Sequence, residues 1–386
     1  MHRRHQIILV SVFAGFLFLV GLQVVLPFLP TGGKLRGMAD DPPEPVWTLG
    51  TIRTGEAFRA ANAWYDANVG LRNFWVRLDS EFTYALFGES LEHKVGTNVV
   101  VGEHDWLFER HYIKHAITPN SPEDERVKKA IAHMKSAQDK LAQRGIPFIL
   151  LVAPNKAEIY PEHIPASQLG GRDPDQVTTE YERYRPLLLA AGINLYDGRQ
   201  VFLDWKKAGV RNLFARSGTH WSYDASVRVL QDLRERLNPG MRHPLPPFVV
   251  TQTTLGPARG TDTDLLSLLN LLSFFPYNHP QPYPELVRQS TVPTEQLPRI
   301  LWVHDSFGGP LIETLYRANA AQPGESVYYM ENFYRMPEGT RLDRDLKQTD
   351  WNDYLKDKDA VVMVWTEIAF TYLGWGFMEK LDEQLK

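Results

Sequence analysis

The sequence has no cysteine among its 386 residues, which excludes disulfide bonds and thiolate metal ligands. It also has no excess of basic residues, because 42 Lys and Arg stand against 46 Asp and Glu and the formal net charge is −4. This balance gives no electrostatic reason to expect a nucleic-acid partner. The hydrophobic fraction of 43% and the charged fraction of 23% are typical of a folded globular protein and exclude disorder as its main state.

The sequence also lacks a set of residues with the number and spacing of a metal-binding site. His111 and His115 have the i,i+4 spacing with which two histidines on one helix can bind a metal ion. No third ligand with a matching spacing lies near them in the sequence. We therefore expect neither a metal ion nor another cofactor.

Only one stretch is apolar enough to cross a bilayer, and it covers residues 7–29, just after Arg3 and Arg4. It is longer than the apolar core of a usual signal peptide, and no small-x-small cleavage site follows it directly. We therefore expect an uncleaved, single-pass anchor in a bacterial inner membrane over residues 1–30, with its N-terminus in the cytoplasm. An exposed linker is expected over residues 31–50, and a periplasmic folded domain over residues 51–386.

Strand-length apolar runs alternate with helical patterns through most of this domain. The alternation predicts an α/β fold with a mainly parallel sheet. The Pro-rich residues 244–298 are expected to be irregular and to pack beside the core. Strands are predicted at residues 146–152, 193–196, 300–304, 326–330 and 360–365, and helices at residues 121–144, 178–191, 222–237 and 311–318.

Two short motifs indicate the chemistry. Ser306 stands between a buried strand and a helix, where the helix dipole and unpaired backbone N–H groups stabilise developing negative charge. His220 lies just before a second predicted helix and can supply the base that such a serine needs. The N–H groups of Ser306 and Gly308 are candidates for holding an oxyanion. The pair predicts acyl transfer or ester hydrolysis.

Other polar residues follow the predicted strands. Asn155 and Lys156 come directly after the strand at residues 146–152, and Asn332 follows the strand at residues 326–330. Because ligands bind at the carboxyl ends of parallel strands, these side chains are candidates to complete an oxyanion hole or to orient a sugar.

Both motifs resemble the SGNH-hydrolase-like family that includes the alginate O-acetylation proteins of the J and X type. The resemblance runs in the same order from about Phe58 to Leu373. It implies a three-layer α/β/α fold, with Ser306 as nucleophile and His220 as base. The segments that carry it are residues 70–72 (GLR), 99–108 (VVVGEHDWLF), 152–161 (VAPNKAEIYP), 217–222 (SGTHWS) and 299–309 (RILWVHDSFGG).

The resemblance also implies a function. It indicates a periplasm-facing O-acetyltransferase that moves an acetyl group through an acyl-serine to hydroxyls of an exopolysaccharide, alginate-like or cellulose-like. A membrane-bound O-acyltransferase of the multispanning MBOAT class would supply the acetyl group across the membrane. Two alternatives stay open at this point: a carbohydrate acetylesterase, and a catalytically silent protein that binds glycan or serves as a scaffold in a polysaccharide export complex.

One position departs from the family pattern. The family has Asp two residues before the histidine, where a carboxylate orients the imidazole, and this chain has Gly218 there. A dyad without an acid, a carboxylate from elsewhere and an inactive site are the three possibilities. If the site is active, as a dyad or with a substitute acid, Gly218→Asp is expected to raise the reaction rate or leave it unchanged. The candidate substitute acids are Asp224, Asp264, Asp305 and Glu367.

Overall fold

The computed structural model describes residues 2–25, 33–37, 42–90, 98–119, 124–273 and 277–385. Contacts divide the chain into two compact units. The first unit comprises residues 1–100 and 266–277, and the second comprises residues 101–265 and 278–386. Parts of the expected anchor (residues 1 and 26–30), of the expected linker (residues 31, 32 and 38–41) and the predicted start of a helix at residues 121–123 lie outside the described residues.

The first unit is helical. Its described part contains one helix that is long and apolar enough to span a membrane, residues Arg3–Gln23, and within this stretch only Gln23 is buried. Thr48 caps the N-terminus of the second helix, and Gly88 ends the fourth in the left-handed conformation that favours glycine. The helices of this part are α1 (His2–Val25), α2 (Leu49–Arg53), α3 (Glu56–Asn68) and α4 (Arg72–Phe87).

The second unit is built on a seven-stranded sheet with the order β10-β9-β8-β7-β11-β3-β4. Strands β8, β7, β11, β3 and β4 pair in parallel, and β9 and β10 add an antiparallel edge. The prediction of a mainly parallel α/β sheet is therefore confirmed. The strands of the sheet are β3 (Phe148–Ala153), β4 (Leu195–Asp197), β7 (Ile300–His304), β8 (Gly324–Tyr328), β9 (Asn332–Met336), β10 (Thr340–Leu342) and β11 (Ala360–Thr366).

Helices cover both faces of this sheet, which confirms the three-layer arrangement. Phe148, Leu150 and Val152 of β3 join one core cluster with residues of the helices Asp124–Gln143, Glu180–Ala190 and Phe377–Gln384. Since side chains alternate along a strand, Ile149 and Leu151 face the opposite layer. In that layer Gly198–Lys207 contacts β3, and Gly308–Arg317 contacts β7 and the helix Tyr223–Leu237. The remaining α-helices of the described chain are Arg110–Ile117, Lys156–Ile159, Ala166–Leu169, Asp264–Leu268 and Trp351–Tyr354.

The prediction for residues 244–298 is wrong in part. This segment contains a long antiparallel pair, β5 (Phe248–Gly256) and β6 (Gln281–Arg288), with a register shift between Val250 and Gln252. Exposed side chains fill most of β5, so the apolar alternation that marks a half-buried strand is absent from its sequence. The two short strands that precede the helix Arg110–Ile117, β1 (Val99–Val101) and β2 (Leu107–Glu109), were not predicted either.

Candidate active site

The carboxyl ends of four neighbouring parallel strands bring most of the candidate residues to one edge of the sheet. Strand β3 leads to Asn155, β7 to Ser306, β11 to Glu367 and β8 to Tyr329. Ligands of open parallel sheets bind at this edge. The order of the strands in the sheet therefore explains why residues far apart in the sequence lie at the same edge of the sheet.

His220 is paired with a carboxylate. Its Nδ1 lies 2.5 Å from Oδ2 of Asp264, and Oδ1 of Asp264 accepts hydrogen bonds from the backbone N–H groups of Thr219 (2.8 Å) and Leu265 (2.7 Å). A carboxylate held by two N–H groups has a fixed orientation, and Nδ1 therefore carries the proton that it donates to Asp264. The other ring nitrogen, Nε2, is buried and has no hydrogen-bond partner within the described residues.

The other three candidate acids have different partners. Asp224 pairs with Arg228 one turn further along its helix, at 3.4 Å. Asp305 and Glu367 are buried and accept hydrogen bonds from backbone N–H groups of Thr366 and Asn155, respectively. The expectation that any of these three orients His220 is therefore wrong, because each carboxylate is already held by another group.

Lys156 holds the loop that carries His220. Its buried ammonium donates to the carbonyl oxygens of Ala215 (2.7 Å) and Gly218 (2.6 Å), and also to those of Leu107 and Arg216. Burial lowers the pKa of Lys156 to about 7. Because its N–H donors are bound to main-chain carbonyls, Lys156 is suited to hold the loop that carries His220. The predicted contact of Lys156 with an oxyanion or a sugar does not fit this arrangement.

Ser306 lies in a tight turn that Asp305 organises. The Asp305 carboxylate accepts from the N–H of Phe307 (2.9 Å) and from the N–H of Thr366 on β11 (2.6 Å), so it ties the turn to the neighbouring strand. Burial raises the pKa of Asp305 to about 6. The Phe307 ring packs on the imidazole of His220 with a centroid distance of 4.6 Å. This contact places the serine turn beside the histidine.

Tyr329 was missed by the sequence analysis, although it lies beside the serine. Burial and the charge of Asp305 raise the pKa of the Tyr329 hydroxyl, and the nearby side chain and backbone of Ser306 oppose this rise. Tyr329 follows β8 with a positive φ of 51°, and its own N–H donates to the carbonyl of His304. A residue in this conformation has no sequence signal apart from its position after a strand.

Glu109 and Tyr112 are two further residues without a recognised motif. Glu109 lies near the Thr219 side chain, and its pKa is raised to about 7 by burial and by the nearby charge of Asp264. The Tyr112 hydroxyl is hydrogen-bonded to the Thr366 side chain, and its pKa is raised by burial and by the charges of Glu109 and Asp305. Both residues therefore border the His220–Asp264 pair and the serine turn.

The N–H group of Gly308 was predicted to hold an oxyanion, but it has another partner. This N–H donates to the carbonyl of Asp305 at 3.1 Å and so closes the turn, which makes it unavailable to an oxyanion. A Cβ at this position would come within 2.5 Å of the His304 side chain. Glycine is therefore needed for close packing. Asn332 is the first residue of β9 and pairs with Tyr328, and its role in a site stays a prediction.

Asn155 anchors a buried network behind the site. Its side chain donates to the carbonyl of Tyr112 (2.9 Å) and caps the helix Lys156–Ile159 by accepting from the N–H of Ala157 (2.9 Å). Glu367 accepts from the N–H of Asn155 and pairs with Arg199 at 2.5 Å. Both polar atoms of the Asn155 side chain thus hold main-chain segments, and its contact with a substrate stays a prediction.

The surroundings of Gly218 change the expected effect of the substitution Gly218→Asp. A Cβ at this position would lie 2.4 Å from the carbonyl oxygen of Thr261 and 3.0 Å from the Cα of Asp262. The chain that carries Asp264 therefore occupies the space in which the family's aspartate would stand. We now expect Gly218→Asp to lower the rate of acetyl-ester hydrolysis by about 10²-fold, because it displaces Asp264 from His220.

Gly218→Ala is the matched control, since it adds the same Cβ without a carboxylate. Steady-state kinetics on p-nitrophenyl acetate should give similar losses for both variants. A Gly218→Asp enzyme that is as fast as the unaltered protein would contradict this assignment of the acid.

A family model described as "SGNH hydrolase-like domain, acetyltransferase AlgX" matches residues 99–299. The chain belongs to this family. The matched residues include His220 and Asp264 and end before Ser306.

The chain is similar to probable alginate O-acetylase AlgJ of Pseudomonas aeruginosa, with 30% identity over 284 residues that cover 70% of this chain. It is also 25% identical, over 69% of its length, to the Azotobacter vinelandii protein of the same name.

The chain spans 65% and 62% of the lengths of these two relatives. Among solved structures, the O-acetyltransferase domain of Pseudomonas putida AlgJ aligns with 74% of this chain and 99% of its own length, at a TM-score of 0.45 and 18% identity. Pseudomonas aeruginosa AlgX aligns with 70% of this chain and 62% of its own length, at a TM-score of 0.45 and 17% identity. The SGNH-like fold that the resemblance implied is confirmed by the family match.

Proposed function

We propose that this protein transfers an acetyl group to hydroxyls of an exopolysaccharide through an ester on Ser306. The proposal rests mainly on the geometry of His220. Asp264 binds Nδ1 of its imidazole, and Nε2 is left to accept a proton. The family and the names of the relatives, probable alginate O-acetylases, support acetyl as the group and a polysaccharide as the acceptor. The acceptor is alginate-like or cellulose-like.

In the first half-reaction, the Ser306 hydroxyl attacks the carbonyl carbon of the acetyl donor. The hydroxyl gives its proton to Nε2 of His220. The C–O bond to the leaving group then breaks, and the imidazolium returns the proton to the leaving oxygen. Asp264 stabilises the imidazolium while it carries the positive charge.

The tetrahedral oxyanion needs donors that the turn can supply. The Ser306 N–H lies in this turn, and the neighbouring Tyr329 hydroxyl can donate a hydrogen bond. We assign these two donors to the oxyanion, in place of the Gly308 N–H. In the second half-reaction, His220 removes a proton from the acceptor hydroxyl, which attacks the acetyl-serine and regenerates Ser306.

The fate of the acetyl group tests this proposal against its alternatives. The full-length protein in detergent is incubated with p-nitrophenyl acetate and either oligomannuronate or cello-oligosaccharide, and the products are analysed by mass spectrometry. We expect acetylated oligosaccharide that forms in proportion to enzyme. Release of acetate alone would support the acetylesterase, and the absence of both products would support the silent scaffold.

A single-pass location in the inner membrane, with the catalytic unit in the periplasm, completes the proposal. It is supported by the apolar helix Arg3–Gln23 and by Arg3 and Arg4 at its start, which favour a cytoplasmic N-terminus. Acetyl groups made in the cytoplasm must cross the membrane to reach such a site. A multispanning MBOAT protein is the partner that the family resemblance implies for this step.

A further inference from the structure

The first unit exposes an unusual amount of apolar surface. Outside α1, more than half of the large hydrophobic side chains that the described residues expose lie between residues 46 and 87. Contiguous exposed apolar surface on a protein marks a site of contact with another protein or with a membrane. The side chains in question are Val46, Trp47, Leu49, Ile52, Phe58, Tyr65, Trp75, Phe82, Leu86 and Phe87.

Helix α4 has two different faces. On one face, Arg77 donates to the carbonyl of Leu271, and the Tyr84 ring packs edge-on against Tyr277 at 4.7 Å. Both partners belong to the same unit. Residues 75, 78, 82 and 86 follow the helical period on the opposite face and are all apolar. Phe82 is 57% exposed and Leu86 is 69% exposed. We call Trp75, Leu78, Phe82 and Leu86 the apolar stripe.

The apolar stripe is continuous with the candidate membrane helix. Trp75, its first residue, contacts Phe16 of α1 with ring centroids 6.2 Å apart. Just before α4, a Cβ on Gly70 would lie 2.1 Å from the carbonyl oxygen of Val20, so the two backbones approach closely there. Helix α1 thus packs as part of the folded unit. If lipid surrounds α1, it also reaches the stripe that touches α1.

We propose that the apolar stripe of α4 lies in the lipid bilayer that holds α1. Helices that lie in a membrane interface turn a face of Trp, Phe and Leu to the lipid, and α4 has such a face opposite the one that packs on its own unit. The chain would then be held at the membrane by α1 and by the stripe. This inference rests on the insertion of α1 and is independent of the chemistry at Ser306.

The absence of native cysteine makes a direct test possible, because each introduced cysteine is the only thiol. Phe82→Cys and Leu86→Cys are labelled with a nitroxide in the full-length protein, which is reconstituted into phosphatidylcholine–phosphatidylglycerol vesicles. Collision with oxygen, which concentrates in lipid, is compared with collision with a water-soluble nickel complex. Val12→Cys reports on α1, and Leu189→Cys, at an apolar position that is 48% exposed in the second unit, is the matched control.

We expect the ratio of oxygen to nickel collisions at positions 82 and 86 to be several-fold higher than at position 189 and to approach that at position 12. Ratios equal to that at position 189 would overturn the proposal. Low collision rates with both reagents would also overturn it, because protein rather than lipid would then cover the stripe. An aqueous signal at position 12 would remove its premise, and the acetyl-transfer assay would remain a separate test of function.

Discussion

Ser306→Ala is expected to abolish acetyl-ester hydrolysis, with a loss in kcat of about 10⁴-fold or more. The serine hydroxyl is the only group of the proposed mechanism that bonds covalently to the acetyl carbon. Without it, His220 and Asp264 have no nucleophile to activate. The measurement is the initial rate of p-nitrophenyl acetate cleavage by the purified full-length protein.

Ser290→Ala is the control for this variant, since Ser290 is a half-buried serine whose hydroxyl accepts a local hydrogen bond from the N–H of Val292. It should retain the full rate. If the Ser306→Ala protein cleaved the ester as fast as the unaltered one, the acyl-serine route would be wrong.

Asp264→Asn is expected to lower kcat by about 10³- to 10⁴-fold, as loss of the orienting acid does in serine hydrolases with a triad. The amide retains an oxygen that can accept from the N–H groups of Thr219 and Leu265, so the fold should persist. Its NH₂ group would then face Nδ1 of His220. The proton would move to Nε2, and the imidazole could no longer accept a proton from Ser306.

Asp224→Asn is the matched control, because Asp224 lies only four residues past His220 and pairs instead with Arg228. This variant should keep its activity within about twofold, since a pair of this kind contributes at most about 1 kcal/mol to stability. Equal losses in Asp224→Asn and Asp264→Asn would contradict the assignment of Asp264 as the acid.

The local part of the site was predictable from the sequence. Strand β7 ends at His304 as predicted, and Ser222 caps the helix Tyr223–Leu237 by accepting from the N–H of Ala225. Both features depend on neighbouring residues, namely an apolar run that ends in a turn and a serine at a helix start. Hence Ser306 and His220 could be named from their motifs.

The orienting acid could be named only as one of four candidates. Asp264 lies 44 residues from His220 along the chain, and no periodic pattern joins the two segments. The decisive fact is steric, since the main chain at Thr261 comes so close to Gly218 that a side chain there is excluded. Lys156 was misjudged for a similar reason, because only the folded structure surrounds its ammonium with carbonyl oxygens.

The most direct test of the proposed mechanism is the detection of an acetyl group on Ser306. The full-length protein is mixed with p-nitrophenyl acetate and quenched with acid in the steady state, and its peptides are mapped by mass spectrometry. We predict one acetyl group on the peptide that contains Ser306, lost when an oligosaccharide acceptor is added in excess before the quench. Ester cleavage at the full rate with no acetyl group on Ser306 at any time point would contradict the account.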